Sequence, residues 1–402
     1  VRIVLFTGKG GVGKTTTALA TAVHAAGLGC KTLLMSTDPA HSVGDALSIS
    51  VRDVPTQVDD GLYVMHVDAQ RRFESSWGEL QGYVRALLTN AGADPLTADE
   101  IAVVPGVEEF MALLALREQA VAGLWDFIVV DCAPTAETLR LLALPQVLSW
   151  YAERLFPTHN RMLRHLAPLA GRMRDVPMPS AALVSAFSAL HQQVDELCEL
   201  LGDAATTTVR LVLTPEAVVL AEARRTLSSL RLYGYPVDGI VVNRLIPPGG
   251  KDPWRASWVA AQREQMTRIA DSFDRLPIRT LDYQRAEPVG LDALRVLGVE
   301  LYADTDPREG PATADVVRIE HVRDDELPGG YEFTMILDLP HLDRADVQLA
   351  RSADDLVVTA AGRRRYVGLP SALRRCDVVG AAYADNALRV TFTPNPELWP
   401  RS

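Results

Sequence analysis

Gly8-Lys9-Gly10-Gly11-Val12-Gly13-Lys14-Thr15 is the stretch that decides how this chain is read. Ahead of it, Val1 to Thr7 is a short apolar run bounded by glycine, the pattern of a buried parallel strand. Behind it, Thr16 to Ala26 runs on as an Ala/Leu helix that ends near Gly27. Strand, glycine-rich loop and helix in that order fit GxxxxGK[ST], a phosphate-binding loop. Each position has a chemical reason. Around Gly10, Gly11, Val12 and Gly13 the backbone N–H groups can close on phosphate oxygens, and the helix start at Lys14, Thr15 and Thr16 favours negative charge. Lys14 reaches the β and γ oxygens, and Thr15 ligates Mg²⁺. The expected cofactor set is ATP with Mg²⁺, and the expected reaction is hydrolysis to ADP and phosphate.

Two acids extend the pattern. Lys31 to Ser36 reads as a second strand running into Asp38, which a doubly wound sheet brings beside the loop. A carboxylate there can orient or deprotonate the attacking water, although an Asp-Pro pair also serves simply to cap a turn. Trp125 to Val130 reads as a third strand, ending in Asp131. An acid in that place holds Mg²⁺ directly or through a water; apolar strands ending in Asp are common, so the assignment leans on the other motifs. Lys9 stands where the general motif leaves the residue free. A second cation there can stabilise transition-state charge, as an arginine finger does, or lie as a solvated surface lysine.

The loop resembles the deviant Walker A of the nitrogenase-iron-protein, septum-site and arsenite-pump ATPases. In that group the extra lysine, Lys9 here, reaches across a dimer to the partner's nucleotide. Thr37-Asp38-Pro39-Ala40-His41-Ser42 and Asp131 to Arg140 look like the two switch segments of the arsenite-pump (ArsA) and tail-anchored-protein targeting ATPases, and Pro105 to Glu109 fits the same family. The family usually has Gly-His where this chain has Ala136-Glu137. Val241-Val242-Asn243-Arg244 resembles the segment whose Asn recognises adenine, so the resemblance makes Asn243 a nucleotide-binding residue; an amide can pair with a donor and an acceptor on a base edge. A cap after the strand is the plainer alternative. The family's second adenine loop is not assigned between Leu276 and Gly290. The resemblance covers roughly residues 1 to 300, and implies a homodimer.

The chain has 402 residues and a formal net charge of -11, with 48% hydrophobic and 23% charged residues. That length favours two domains, and the acidic balance argues against a nucleic-acid partner. Its four cysteines, Cys30, Cys132, Cys198 and Cys376, form no CxxC pair and no zinc-ligand cluster. A reducing, cytoplasmic setting is expected. With the phosphate loop starting at Gly8, no secretory signal is expected, and no run of about 18 apolar residues is present to span a bilayer.

Further apolar runs at Tyr63 to Val67, Val209 to Leu213 and Val237 to Val242 alternate with helical stretches. The expected fold class is therefore α/β, a doubly wound mostly parallel sheet in a P-loop domain over 1–302. A helical subdomain is expected at about 139–203, where apolar residues recur at helical spacing and Met162, Met173 and Met178 would suit an adaptable groove. Plain core packing, with Arg161, Arg164, Arg172 and Arg174 on a solvated face, reads as well. Residues 303–315 form a polar Pro/Gly-bearing linker, and 316–396 an all-β sandwich of seven short strands. Its turns resemble the α-crystallin domain of small heat-shock proteins, without the Ile-x-Ile-type tail. Arg363-Arg364-Arg365 reads as a charged strand edge that discourages aggregation.

Two functions are expected from the resemblance. The first is a dimeric ATP-driven switch that binds and delivers or protects hydrophobic or membrane-protein clients, with a membrane receptor as partner. The alternative is the ATPase subunit of an arsenite efflux pump, for which several gathered thiolates would be wanted.

Overall fold

The computed structural model describes residues 1–38, 42–76, 107–133, 181–310, 316–324, 326–327, 330–352 and 354–399. Its larger sheet has eight strands: β1 (Arg2–Thr7), β2 (Thr32–Ser36), β3 (Thr56–Asp59), β4 (Leu62–His66), β5 (Phe127–Asp131), β6 (Thr207–Leu213), β7 (Val237–Leu245) and β8 (Ile278–Asp282). They stand in the order β3-β4-β2-β5-β1-β6-β7-β8. All neighbours run parallel except β3 with β4. The central strands are buried on both faces, which is why they read as unbroken apolar runs. The chain passes from β1 outward to β2 and β4, then returns to place β5 between β2 and β1, with β6 on the far side. This reversal is the crevice where α/β sheets bind ligands.

Among the described residues the helices packed with this sheet are α1 (Lys14–Gly27), α2 (Ser42–Leu47), α3 (Ala69–Ser76), α4 (Val107–Val121), α5 (Ala181–Gly202), α6 (Ala217–Tyr233), α7 (Pro253–Ser272) and α8 (Leu291–Tyr302). Of the stretch expected to be helical, residues 181–202 form α5; residues 139–180, with Met162, Met173, Met178 and their arginines, lie outside the described residues. Beneath α1 and α8 the sheet holds a buried charge cluster. Arg210 and Asp238 are both fully enclosed, with Arg210 Nε donating to Oδ1 at 3.0 Å and Nη2 to Oδ2 at 2.8 Å. Thr208 Oγ1 donates to the same carboxylate at 2.7 Å, and Arg210 Nη1 to the Tyr302 hydroxyl at 2.8 Å. Burial would raise the Asp238 pKa; Arg210, Thr208 and Arg2 outweigh it and hold the carboxyl below its ordinary value.

The C-terminal part has two antiparallel sheets, one in the order β14-β15-β10-β9 and one in the order β11-β12-β13. Their strands are β9 (Val317–Arg323), β10 (Tyr331–Asp338), β11 (Val347–Ser352), β12 (Asp355–Ala360), β13 (Arg363–Gly368), β14 (Cys376–Ala384) and β15 (Ala387–Pro394). Each of the seven expected strands is there. A short helix, α9 (Ser371–Arg374), links β13 to β14. Met335, Leu337, Leu356, Val358, Val390 and Phe392 fill the space between the sheets.

One expectation fails here. Arg363 to Arg365 do lie on the edge strand β13, yet Arg365 is no solvated charge. Its Nη1 donates to the Leu232 carbonyl at 2.7 Å, at the end of α6, and its Nε is buried. Successive strand residues face opposite sides, so Arg363 and Arg365 share the face opposite the exposed Arg364, and on that face Arg365 meets the end of α6.

Candidate functional site

The site is built from the carboxyl ends of three adjacent strands. In register, Asp131 of β5 stands opposite Phe6 of β1 on one side and Ser36 of β2 on the other. The Cys132 N–H donates to the Phe6 carbonyl at 3.1 Å and the Thr37 N–H to the Asp131 carbonyl at 3.0 Å. The sheet ladder thus carries on one residue past the strands. Neighbouring strands lie about 4.8 Å apart, so Gly8, Asp38 and Asp131 begin within a few side-chain lengths of one another.

The glycine loop turns sharply to start α1. Gly8 passes so close to β6 that a Cβ there would stand 2.1 Å from the Val212 carbonyl oxygen. Gly13, at φ 91°, is the left-handed residue immediately before the helix, and a Cβ on it would meet Asn243 Nδ2 at 2.2 Å. Lys14 is buried and its Nζ donates to the Lys9 carbonyl at 3.4 Å, drawing the loop around the ammonium. Lys9, Gly13, Thr15 and Thr16 are half-buried, while Gly10 and Gly11 are exposed on the outer rim. Val12 is buried beneath them.

Asp131 has no exposure at all, and neither carboxylate oxygen has a hydrogen-bond partner. Burial pushes its pKa up to about 7, and the charge of Asp38 adds to the rise. The Thr15 hydroxyl and Lys14 favour the charged form; Thr15 stands near without closing a hydrogen bond. A buried carboxyl left so is costly. A hard divalent cation bound by one carboxylate, a threonine hydroxyl and substrate oxygens would satisfy it, which is how Mg²⁺ is usually held in nucleotide sites. The residues present fit Mg²⁺ with ATP. Asp38 is half-buried and its N–H faces the Ser36 hydroxyl at 3.4 Å; residues 39–41 of the first switch and 134–140 of the second lie outside the described residues, as do Pro105 and Gly106.

Asn243, at the end of β7, is buried against the loop. Its Nδ2 donates to the Val12 carbonyl at 2.8 Å and its Oδ1 accepts from the Arg244 N–H at 2.8 Å, with Arg244 in a left-handed conformation at φ 63°. This bracing of the phosphate loop was not foreseen from the sequence. It leaves the amide one further N–H and one lone pair for a base. The helix α6 side chains Val219, Glu222, Ala223 and Thr226 pack around a small hollow with Gly8, Lys9 and Val212, a contact the sequence reading did not include. No motif marks them, because they follow from which helix packs over the loop.

The cysteines do not converge on the site. Burial pushes the Cys198 and Cys376 thiols up to about 11, and Cys30 and Cys132 upward as well. Among the described residues no group of three or more His, Cys, Asp or Glu side chains could hold a metal ion, and no helix is long and apolar enough to cross a membrane.

Two family models match the chain, one for anion-transporting ATPases over residues 1–303 and one for the HSP20-like domain found in ArsA over residues 330–392. A provisionally named arsenical pump-driving ATPase of Chlorobaculum tepidum is 32% identical over 98% of this chain and 96% of its own length. An uncharacterised Streptomyces coelicolor protein is 36% identical over the full length of both. The ATPase ASNA1 homolog 1 of Paramecium tetraurelia is 26% identical over 72% of this chain and 88% of its own. The phosphate loop with its two strand-end acids and the matches along both halves lead to one conclusion: the chain belongs to the ArsA family of anion-transporting ATPases and carries that family's HSP20-like domain.

Proposed function

We propose that this ATPase is a cytoplasmic, homodimeric switch whose Mg²⁺-dependent ATP cycle opens and closes a surface for hydrophobic or membrane-protein clients. The observation that carries the catalytic part is the buried Asp131 carboxyl, without a hydrogen-bond partner beside Thr15, Lys14 and Asp38. Backbone N–H groups of Gly10, Gly11, Val12 and Gly13 cradle the phosphates, with Thr16 at the helix start. Lys14 neutralises charge on the β and γ oxygens, and Asn243 both braces the loop and offers its remaining amide groups to adenine. Thr15 and Asp131 would hold Mg²⁺, which withdraws charge from the phosphate oxygens when bound. Asp38 orients a water and takes its proton as the water oxygen bonds to the γ-phosphorus and the bond to ADP breaks. Lys9 reaches the partner protomer's γ-phosphate. With the γ-phosphate gone, the hold on Asp38 and Asp131 is released.

The expected result for Asp38→Asn is retained ATP binding with turnover down by roughly 10²-fold or more, the scale of a lost general base; unchanged steady-state hydrolysis refutes the assignment. Mixing a Lys9→Ala chain with a chain inactivated at Lys14 tests sharing across the dimer, where simply additive activities count against it. A second reading, the energising of an arsenite efflux pump, is favoured by the names of several relatives. Three of this chain's cysteines are buried and Cys198 is half-buried, and they do not gather into the thiolate cluster that arsenite would want. Hydrolysis stimulated by arsenite and lost on replacing the cysteines would decide for the pump. Stimulation by an apolar helical peptide would decide for clients.

A further inference from the structure

Helix α6 lies between the phosphate loop and the HSP20-like domain. Val219, Glu222, Ala223 and Thr226 line the small hollow over Gly8 and Lys9. Ser228, Arg231 and Leu232 meet the HSP20-like domain: Ser228 Oγ donates to the Pro340 carbonyl at 2.5 Å, Arg231 faces Asp338 at 3.7 Å, and Leu232 joins the core between the β sheets. At about 100° per residue the two sets fall on opposite faces of the helix. The helix end is held too, since Arg365 donates to the Leu232 carbonyl, a cation at a C-terminus whose carbonyls need partners. From Glu222 to Leu232 is about 15 Å of regular helix, a rigid element that a moving loop displaces as one piece.

The docking itself is incompletely satisfied. Arg231 Nη1, Arg365 Nε and His341 Nε2 are buried without hydrogen-bond partners, and Arg231 Nε has only the longer ion pair to Asp338 at 3.7 Å. Each such group costs about 1–3 kcal/mol. His341 also stacks edge-on against Phe273, at the end of α7, with ring centres 5.9 Å apart. A seating in which water or a new acceptor reaches these groups would relieve that cost. With the hollow on its other face, α6 is thus in contact with both the phosphate loop and the HSP20-like domain.

We propose that α6 couples the Gly8–Lys9 part of the phosphate loop to the seating of the HSP20-like domain, so that nucleotide state resets the Leu339–His341 loop and the seated domain in turn tunes hydrolysis. This rests on the ATP reading above. The reciprocity follows from linkage: whatever factor nucleotide applies to seating, seating applies to nucleotide affinity.

Hydrogen exchange of the full chain, without nucleotide and with Mg²⁺ and a non-hydrolysable ATP analogue, tests it. The expected result is protection of the peptide over residues 8–16 together with a change of roughly fivefold or more, the low end of typical couplings, in exchange over residues 339–342. Protection at 8–16 with unchanged exchange at 339–342 overturns the coupling and leaves the ATP reading standing. No protection at 8–16 overturns both. Ser228→Ala and Arg365→Gln, on the face of α6 and the strand away from Gly8 and Lys9, provide the reverse arm: a variant that alters the response at 339–342 should also shift the analogue's Kd, by no more than the wild-type coupling factor. Wild-type Kd with an altered response refutes the linkage.

Discussion

Replacing Asp131 with Asn keeps the side chain's shape and removes its charge. In the nucleotide-free wild type the buried carboxyl holds its proton up to about pH 7, against an ordinary Asp value of 3.8. At low pH both the folded and the unfolded chain are protonated here and the group is neutral to stability. As pH rises from the ordinary value towards the folded one, the unfolded chain releases a proton that the fold keeps, so the fold loses stability. Roughly three units at ~1.4 kcal/mol each amount to about 4 kcal/mol lost once pH exceeds the folded pKa. Asn carries no such loss, although its unmet amide adds a constant cost of about 1–3 kcal/mol. The quantity to read is therefore the pH dependence. Urea unfolding in chelator, compared between about pH 4 and about pH 8, should move the variant-minus-wild-type difference by about 4 kcal/mol in favour of Asn. With Mg²⁺ and ATP the order reverses, because the wild type gains a ligand that the variant binds poorly. Parallel pH profiles in chelator would refute the claim that Asp131 is a strained, cation-seeking carboxyl.

Gly13→Ala forces a side chain into a left-handed position and onto the Asn243 amide, so nucleotide affinity should fall about tenfold or more, the equivalent of ~1.4 kcal/mol; equilibrium binding of a fluorescent nucleotide measures it. Asn243→Ala separates bracing from base recognition. Equal weakening of ATP and GTP marks the brace, whereas loss of the preference for ATP alone marks contact with adenine. Asp238→Asn leaves Arg210 buried without its counter-charge and should cost about 3–5 kcal/mol in urea unfolding, much of it recovered when Arg210→Met is added.

Much of this arrangement was legible because local rules and global fold agree. The glycine loop, the apolar strands ending in Asp38 and Asp131, and the seven alternating strands of the HSP20-like domain each follow from periodicity and turn chemistry. The edge strands β3 and β8 did not announce themselves. Thr56–Asp59 and Ile278–Asp282 are partly solvated, with no buried apolar run to mark them. Asn243 stood out by the resemblance of Val241–Arg244 to a family segment, but its donation to Val12 depends on how β7 sits beside the loop, which no spacing encodes. Arg210 and Arg365 are harder still. An arginine in a strand reads as surface until tertiary structure supplies its partner, Asp238 in one case and a helix-end carbonyl in the other.

The segment after α8 read as a plain linker, yet it closes the bottom of the ATPase sheet. Arg2 Nε donates to the Arg308 carbonyl and Arg210 Nη2 to the Pro307 carbonyl, each at 3.3 Å. The family model for the ATPase ends at residue 303, so a fragment cut there would strip acceptors from two arginines and bare Leu232 and Phe273 at the docking face. The two modules are separate in sequence pattern but interlocked as a physical object. The smallest piece that keeps the catalytic half intact runs past 308, and the piece that keeps its surface covered is the whole chain.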